Sequence, residues 1–327
     1  MELHRHLEGA IRVQTILDVA GEAGVDLSCE SLEELREKAL ILKPMQNLKE
    51  VLDKFWLFQS VLANPSIISR VAYENCIDAY HDGIRVLELR YSPSFINHNH
   101  PELNYDVIHE AIVGGVKKAT HELGGKIAVG LICIITRDQP LAEADRTADF
   151  AINHRKSFVG FDLAGEEVGF KSSQFVKYFE RVKKAGLRIT VHSGEEAVAE
   201  APQFVKESIE LLGAERIGHG LQIIHDKKVI DFVKSRNVVL ELCPSSNVIT
   251  NAVKDLKSHP IKRLMDLGVR VTLNSDDPHI FGIDLTNEYE VLEQELGFTE
   301  RDFETLTKEA LEATFVNSNV VQSAWEK

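Results

Sequence analysis

The sequence predicts a (β/α)8 barrel of the TIM type. Three observations predict it. Eight short apolar runs, most of them rich in β-branched residues, recur along the 327 residues, which is the pattern of buried parallel strands. Segments with helical apolar spacing lie between them, the alternation of an α/β fold. No run is followed by a Gly-rich dinucleotide fingerprint, which weakens the main alternative, a doubly wound open sheet.

The runs are residues 2–3 leading into His4, then 84–91, 127–135, 158–163, 187–191, 215–217, 238–242 and 269–273. Between them, 106–122 places Val107, Ile108, Ala111, Ile112 and Val116 on one helical face. Residues 172–185 do the same with Phe175, Val176, Phe179 and Val182, and 229–236 and 261–267 fill two later gaps. Residues 7–82 are too long for one crossover helix and predict a helical insertion after strand 1, with at least three helices. One is capped by Ser31, with Glu34 completing a capping box. One runs from Leu48 through Phe58. A third is opened by Asn64-Pro65, asparagine as cap and proline at the first helical position. The middle helix carries Val51, Leu52, Phe55, Trp56 and Phe58. Loops after barrel strands sit over the active site, so residues 45–62 read either as an apolar lid or as a helix docked on the flank. A last helix starts near Thr299, with Asp302 three residues on. No linker, low-complexity tract, charge block or repeat interrupts the chain, so 1–327 reads as one domain.

Composition narrows the function. At 44% apolar the chain can bury a large core. Lys+Arg number 37 against 51 Asp+Glu, a formal net charge of −14, which argues against a nucleic-acid backbone or an anionic membrane as partner. It suits a soluble enzyme acting on a small neutral or cationic molecule. Cys29, Cys76, Cys133 and Cys243 lie far apart with no C-x-x-C pair, so free thiols and a cytoplasmic location are expected. No run is long and apolar enough for a membrane span, and no signal-peptide pattern opens the chain. The chain begins inside a strand, so a few native residues ahead of Met1 are expected. The oligomeric state is not legible.

The chemistry gathers at the strand ends. His4 and His6 lie at i and i+2 and share one face of a strand. His192 ends the fifth run, His219 follows the sixth, and Asp276 and Asp277 follow the eighth. Catalytic groups of such barrels project from the C-terminal strand ends. His4, His6 and His192 with one carboxylate of the Asp276-Asp277 pair form a nitrogen/oxygen set that zinc accepts while keeping a position open for water, the other carboxylate being left to touch substrate; iron, cobalt or manganese fit the same donors. His219 is a candidate to accept a proton from that water or to orient it. Glu195, three residues past His192, is a candidate proton donor; its bland reading is a helix N-cap shared with Glu196. His81, His98, His100, His109, His121, His154, His225 and His259 read as core or surface residues. There is no G-x-S-x-G elbow. Cys243-Pro244 is not the P-C-x-x-C of the small zinc deaminases, and Gly124-Gly125-Lys126 is not a phosphate loop.

These motifs carry a resemblance. Glu2-Leu-His-Arg-His-Leu-Glu-Gly-Ala10, Glu88-Leu-Arg-Tyr-Ser-Pro93, Asp162-Leu-Ala-Gly-Glu166, Val191-His-Ser-Gly-Glu195, Arg216-Ile-Gly-His-Gly220, Cys243-Pro-Ser-Ser-Asn247 and Asn274-Ser-Asp-Asp-Pro278 stand in the order seen in adenosine deaminases. The chain resembles that family, in the adenosine/adenine branch of the metal-dependent amidohydrolases, over positions 2–278. The resemblance implies one zinc ion per chain on His4, His6, His192 and Asp276. It implies hydrolytic deamination of a 6-aminopurine, adenosine or deoxyadenosine, to the 6-oxo product and ammonia. Glu195 would protonate N1, His219 would position and help deprotonate the attacking water, Asp277 would bond N7, and the Gly165 N–H would reach N3. One position departs from the pattern. Glu8 stands where adenosine deaminases usually carry the Asp that contacts a ribose hydroxyl, and adenine deaminases often have Glu there. That opens adenine or a 5′-modified adenosine as the alternative substrate. Two other classes are weaker. A non-catalytic binding barrel would lack one of these groups, and none is missing. A two-metal lactonase-type enzyme would end its fourth strand in a bridging lysine, whereas this strand ends Asp162-Leu-Ala-Gly165.

Overall fold

The computed structural model describes residues 1–29 and 31–326. All eight predicted strands form: β1 (Glu2–His6), β2 (Val86–Tyr91), β3 (Ala128–Thr136), β4 (Phe158–Ala164), β5 (Arg188–Ser193), β6 (Arg216–His219), β7 (Val239–Leu242) and β8 (Arg270–Leu273). They follow one another around a single sheet, each parallel to the next. This is the (β/α)8 barrel that the repeat of strand and helix predicted.

The seam between β1 and β8 is closed mostly by residues just past β8. The His6 N–H donates to the Asp276 carbonyl (2.9 Å) and the Asp276 N–H to the His4 carbonyl (3.0 Å). The Leu3 N–H donates to the Asn274 side chain (3.0 Å). The same few residues that carry chemistry therefore also complete the backbone hydrogen bonding of the barrel. β5 and β6 run two residues beyond their apolar runs, to Ser193 and His219. His192 and His219 there line the cavity above the barrel, so hydropathy alone ends these strands too early.

The insertion holds four helices: α1 (Val13–Ala23), α2 (Leu32–Ala39), α3 (Leu48–Ser60) and α4 (Pro65–His81). At least three were predicted, and three of these four were located. Ser31 accepts from the Glu34 N–H, and Asn64 accepts from Ser66 and Ile67 ahead of Pro65, as the cap residues indicate. α1 has no side-chain cap to announce it. The same holds for the later helices Leu141–Asn153 and Ala201–Leu212, which sequence reading also passed over. The predicted helix 172–185 is broken. A short 3-10 turn, Ser172–Gln174, precedes the α-helix Val176–Lys184, with Phe175 fully buried at the joint. Thr299 and Asp302 form the capping box of Glu300–Ala313.

The apolar core lies between the strands and the surrounding helices. Inside the barrel the packing is ionic. Glu88, Arg90, Asp162, Arg216 and Glu241 are all buried. Arg90 donates to Asp162 (2.8 Å), Glu241 (2.8 Å) and the Leu3 carbonyl (2.7 Å). Arg216 donates to Glu241 (2.6 Å) and Glu88 (2.5 Å). Each charge is paired, which is the condition for burying it. All four cysteines are free thiols. Among the described residues, no helix is long and apolar enough to cross a membrane.

Candidate metal and catalytic site

β1 places His4 and His6 on one face of the strand, β5 contributes His192, and the turn after β8 contributes Asp276. One donor atom from each lies within 4.8 Å of all the others. His4 Nε2 and His6 Nε2 stand 3.2 and 3.3 Å from Asp276 Oδ1, and His6 Nε2 stands 3.0 Å from His192 Nε2.

The protons in this cluster can be assigned. His4 Nδ1 faces Glu241 Oε2 at 2.7 Å and His192 Nδ1 faces Asp162 Oδ2 at 3.0 Å. A carboxylate only accepts, so each Nδ1 carries the hydrogen and each Nε2 keeps its lone pair. Burial lowers the pKa of His6 and His192, which are neutral at pH 7. Burial opposes ionisation of Asp276, but His4, His219 and His6 around it outweigh that and hold its carboxyl well below the usual range. His4 Nε2 and Asp276 Oδ1 are buried with no hydrogen-bond partner. Four donors thus converge on one point, where burial works against protonation of His4 but Asp276 and Glu241 raise its pKa, and where His6 Nε2 meets His192 Nε2 with at most one hydrogen to share. That is unfavourable in a buried site unless a cation sits there, so the donor set fits a metal ion. Its nitrogen/oxygen chemistry with an open side suits zinc.

A second set, His219, Cys243 and Asp276, is as compact. It shares Asp276, and burial pushes the Cys243 thiol well above its ordinary pKa, so it remains protonated.

His219 stands at the edge of the first cluster, with Nε2 at 3.6 Å from Glu195 Oε2 and 3.8 Å from Asp276 Oδ2. Its tautomer is fixed by a relay. The Ile261 N–H donates to His259 Nδ1 (3.2 Å), so His259 carries its hydrogen on Nε2 and donates to Asn247 Oδ1 (3.2 Å). The Asn247 amide then donates to His219 Nδ1 (3.1 Å). Neutral His219 therefore presents an Nε2–H to the site. Ser246, beside Asn247, donates to Asp276 Oδ2 (2.7 Å).

Three acids complete the floor. Burial, followed by the charge of Asp276, raises the pKa of Glu195 well above the ordinary value. Burial, Asp276, Glu8 and Glu195 do the same for Asp277. Burial brings Glu8 up to about 7, and its Oε1 accepts from the Ser92 N–H (2.8 Å) while Oε2 has no partner. These groups line a cavity of about 670 Å³ together with Gly165 and the apolar face of α3, including Leu48, Leu52, Phe55 and Trp56. Of the two readings of residues 45–62, the helix thus covers the cavity.

The strand ends show local adaptation. His219 and Asp276 have positive φ, 61° and 65°, a left-handed conformation that stores strain at functional positions. Gly9 and Gly218 are required by close approach. A Cβ on Gly9 would lie 1.8 Å from Asp277 Oδ1, and one on Gly218 would lie 2.8 Å from the His4 ring.

Every residue singled out for the site, namely His4, His6, Glu8, Gly165, His192, Glu195, His219, Asp276 and Asp277, lines this cavity or belongs to the cluster beneath it. The N-cap reading of Glu195 fails, since the next helix begins at Ala201. Two histidines read as bystanders are not: His98 lines the cavity and His259 sits in the relay. Asp162, Glu241, Ser246 and Asn247 were missed as orienting partners. A signal existed for the first two, charged residues inside otherwise apolar strands.

Comparison with known proteins agrees with this geometry. The adenosine deaminase family model matches residues 1–326. An adenosine deaminase of Shewanella loihica is 35% identical over 319 residues, spanning 98% of this chain and 95% of the relative. An adenosine deaminase of Plasmodium falciparum is 36% identical over 321 residues, spanning 98% and 86%. The crystal structure of an adenine deaminase from Arthrobacter aurescens matches with a TM-score of 0.90 at 27% identity, covering 99% of this chain and 96% of that one. The chain belongs to the adenosine deaminase family of hydrolytic deaminases.

Proposed function

We propose that this chain is a cytoplasmic, zinc-dependent enzyme, working as one catalytic domain, that converts adenosine and water to inosine and ammonia. The observation that supports it most is the cluster His4, His6, His192 and Asp276 beneath a cavity floored by raised-pKa acids. Those four residues would hold one zinc ion. When bound, zinc acts as a Lewis acid that makes water nucleophilic at neutral pH.

The remaining steps belong to the protein's own groups. Glu195, kept protonated by burial, donates to purine N1 as the water oxygen adds to C6, which cancels the negative charge that addition would build on the ring. His219 offers its Nε2–H to the attacking oxygen. The relay behind it supports orientation as its role more than acceptance of the first proton. Asp277, also protonated, hydrogen-bonds N7, and the Gly165 N–H reaches N3. Asp276, held ionised beside His219, takes the proton that the water sheds and passes it to the amino nitrogen; breaking the C6–N bond of the tetrahedral adduct then releases ammonia, and the C6 hydroxyl proton restores Glu195. Glu8 faces the sugar.

Glu8 also supports a second reading, deamination of adenine or of a 5′-modified adenosine. The extra methylene relative to Asp advances the carboxyl by roughly 1.5 Å, into space a ribose hydroxyl would use. Turnover of adenosine, adenine and 5′-substituted adenosines, followed by ultraviolet absorbance on protein of known metal content, separates the readings. Adenosine turnover with about one zinc per chain is expected. Activity on adenine alone would overturn the first reading, and turnover of none of these substrates by zinc-loaded protein would overturn both. His192→Ala is expected to lose metal and activity together.

A further inference from the structure

Glu195 sits on a turn, Ser193-Gly194-Glu195, outside any helix or strand beyond Ser193. A side chain on a loop needs its backbone held if it is to meet a substrate atom reproducibly. Here the backbone is gripped from two sides. Glu167, on the loop after β4, accepts from the Gly194 N–H at 2.8 Å with one carboxyl oxygen and from the Glu195 N–H at 2.9 Å with the other. On the opposite side, the Gln222 side chain donates to the Glu195 carbonyl (3.2 Å) and its N–H donates to the Gly194 carbonyl (3.1 Å). Glu196 holds Glu167 in turn, accepting from its N–H at 2.9 Å. Arg137 ties the same loop to the end of β5, donating to the carbonyls of His192 (2.7 Å) and Phe170 (3.1 Å).

Neither amide bound by Glu167 belongs to a helix, so this is not capping. Glu167 is 4% exposed. A carboxylate at that depth is unfavourable unless its hydrogen bonds are well made. Its two oxygens are spaced to take two consecutive amides at once, which a single-acceptor side chain cannot do. The peptide so fixed is the one bearing the Glu195 carboxyl.

We propose that Glu167 is a positioning residue for the proton donor: its carboxylate locks the Gly194–Glu195 peptide and so sets where the Glu195 carboxyl stands on the cavity floor. The inference rests on the role proposed for Glu195. A displacement of order 1 Å at a catalytic group costs up to about 100-fold in rate. Because proton donation is realised in the transition state, the loss falls on kcat.

The test is steady-state kinetics, metal content and thermal unfolding of zinc-loaded Glu167→Gln and Glu167→Asp, beside Glu195→Gln. Glutamine accepts from one amide and turns an NH2 toward the other. Aspartate keeps the charge and loses the reach, so it tests the geometry even if Glu167→Gln folds poorly. The expected result is a kcat lower by about 10- to 100-fold in both variants, with KM within about threefold of wild type, unchanged zinc content and a cooperative melting transition that stays above the assay temperature. Wild-type kcat, a rise confined to KM, or loss of zinc along with activity would each overturn the inference. An inactive Glu195→Gln beside fully active Glu167 variants refutes it while the proposed function stands. A fully active Glu195→Gln removes the role of Glu195 and this inference with it.

Discussion

Arg90 offers the sharpest test of how the barrel interior supports the site. Its guanidinium is fully buried and spans Asp162 and Glu241, at 2.8 Å from each. Those two carboxylates orient His192 and His4. Glu241 keeps Arg216 (2.6 Å) and Thr190 (3.0 Å) if Arg90 is removed. Asp162 loses its one hydrogen-bonded arginine among the described residues and keeps the Leu163 N–H (2.7 Å) and His192, with Arg137 near enough for a weaker attraction. Burial pushes the Asp162 carboxyl up, and His192 and Arg90 together bring it far below its ordinary range. Arg90→Met therefore leaves one buried carboxylate nearly uncompensated, a loss of about 3–5 kcal/mol of folding stability. Arg90→Lys keeps a charge without the fork that spans two carboxylates, and should lose less. Both variants loosen the partners of the two imidazoles proposed as ligands, His4 and His192, for which about 10- to 100-fold weaker metal binding is expected. Urea unfolding of metal-free protein measures the first effect, and zinc competition against a chromophoric chelator measures the second. Wild-type zinc affinity in a folded Arg90→Lys would refute the idea that this arginine braces the ligand set.

Other outcomes follow from the same geometry. Burial, with the charges of Glu2 and Asp276, raises Glu288 from its ordinary 4.5 to about 8. The folded state therefore keeps a proton that the unfolded chain has released, so stability falls as pH rises from about 4.5 to about 8 and is flat below that window. Glu288→Gln should remove this slope, with the gain over wild type growing by up to about 1.4 kcal/mol per pH unit; parallel denaturation curves from pH 5 to 8 would contradict it. Asn247→Asp should move the His219 hydrogen from Nε2 to Nδ1, visible in 15N NMR of the imidazoles, and lower kcat about tenfold or more. An unchanged tautomer would dismiss the relay. Gly9→Ala would drive a methyl into Asp277 and should raise KM about tenfold, and an unaltered KM would show that the carboxyl is free to move aside.

The clustering of the candidate site was legible because His4, His6, His192, His219 and the Asp276-Asp277 pair each sit at the end of an apolar run. Strand ends that look into a cavity switch from apolar to polar, and hydropathy reports that switch directly. The layer beneath was not legible. Glu88, Arg90, Asp162 and Glu241 interrupt strands that read as core, and only three-dimensional pairing explains why charges are tolerated there. His259 was passed over for a related reason. Its partner Asn247 is twelve residues away, and nothing local signals that the two meet. The helices α1, Leu141–Asn153 and Ala201–Leu212, and the α-helix that follows the break at Phe175, lack an N-terminal side-chain cap to mark where they start, although left-handed Gly24 and Gly213 end two of them.

The barrel is sealed where Leu3 meets Asn274, 271 residues apart; of the proposed metal donors, His4 and His6 stand on one side of that seam, Asp276 on the other, and His192 on β5. At the proposed site, full coordination of a cation therefore requires the circle to be closed. A growing polypeptide gains the carboxylate donor only after the last strand has emerged from the ribosome, which would make full coordination a report on completed assembly. Stripping the ion should unzip the molecule first between its earliest and latest strands, where hydrogen exchange would quicken before the opposite wall loosens.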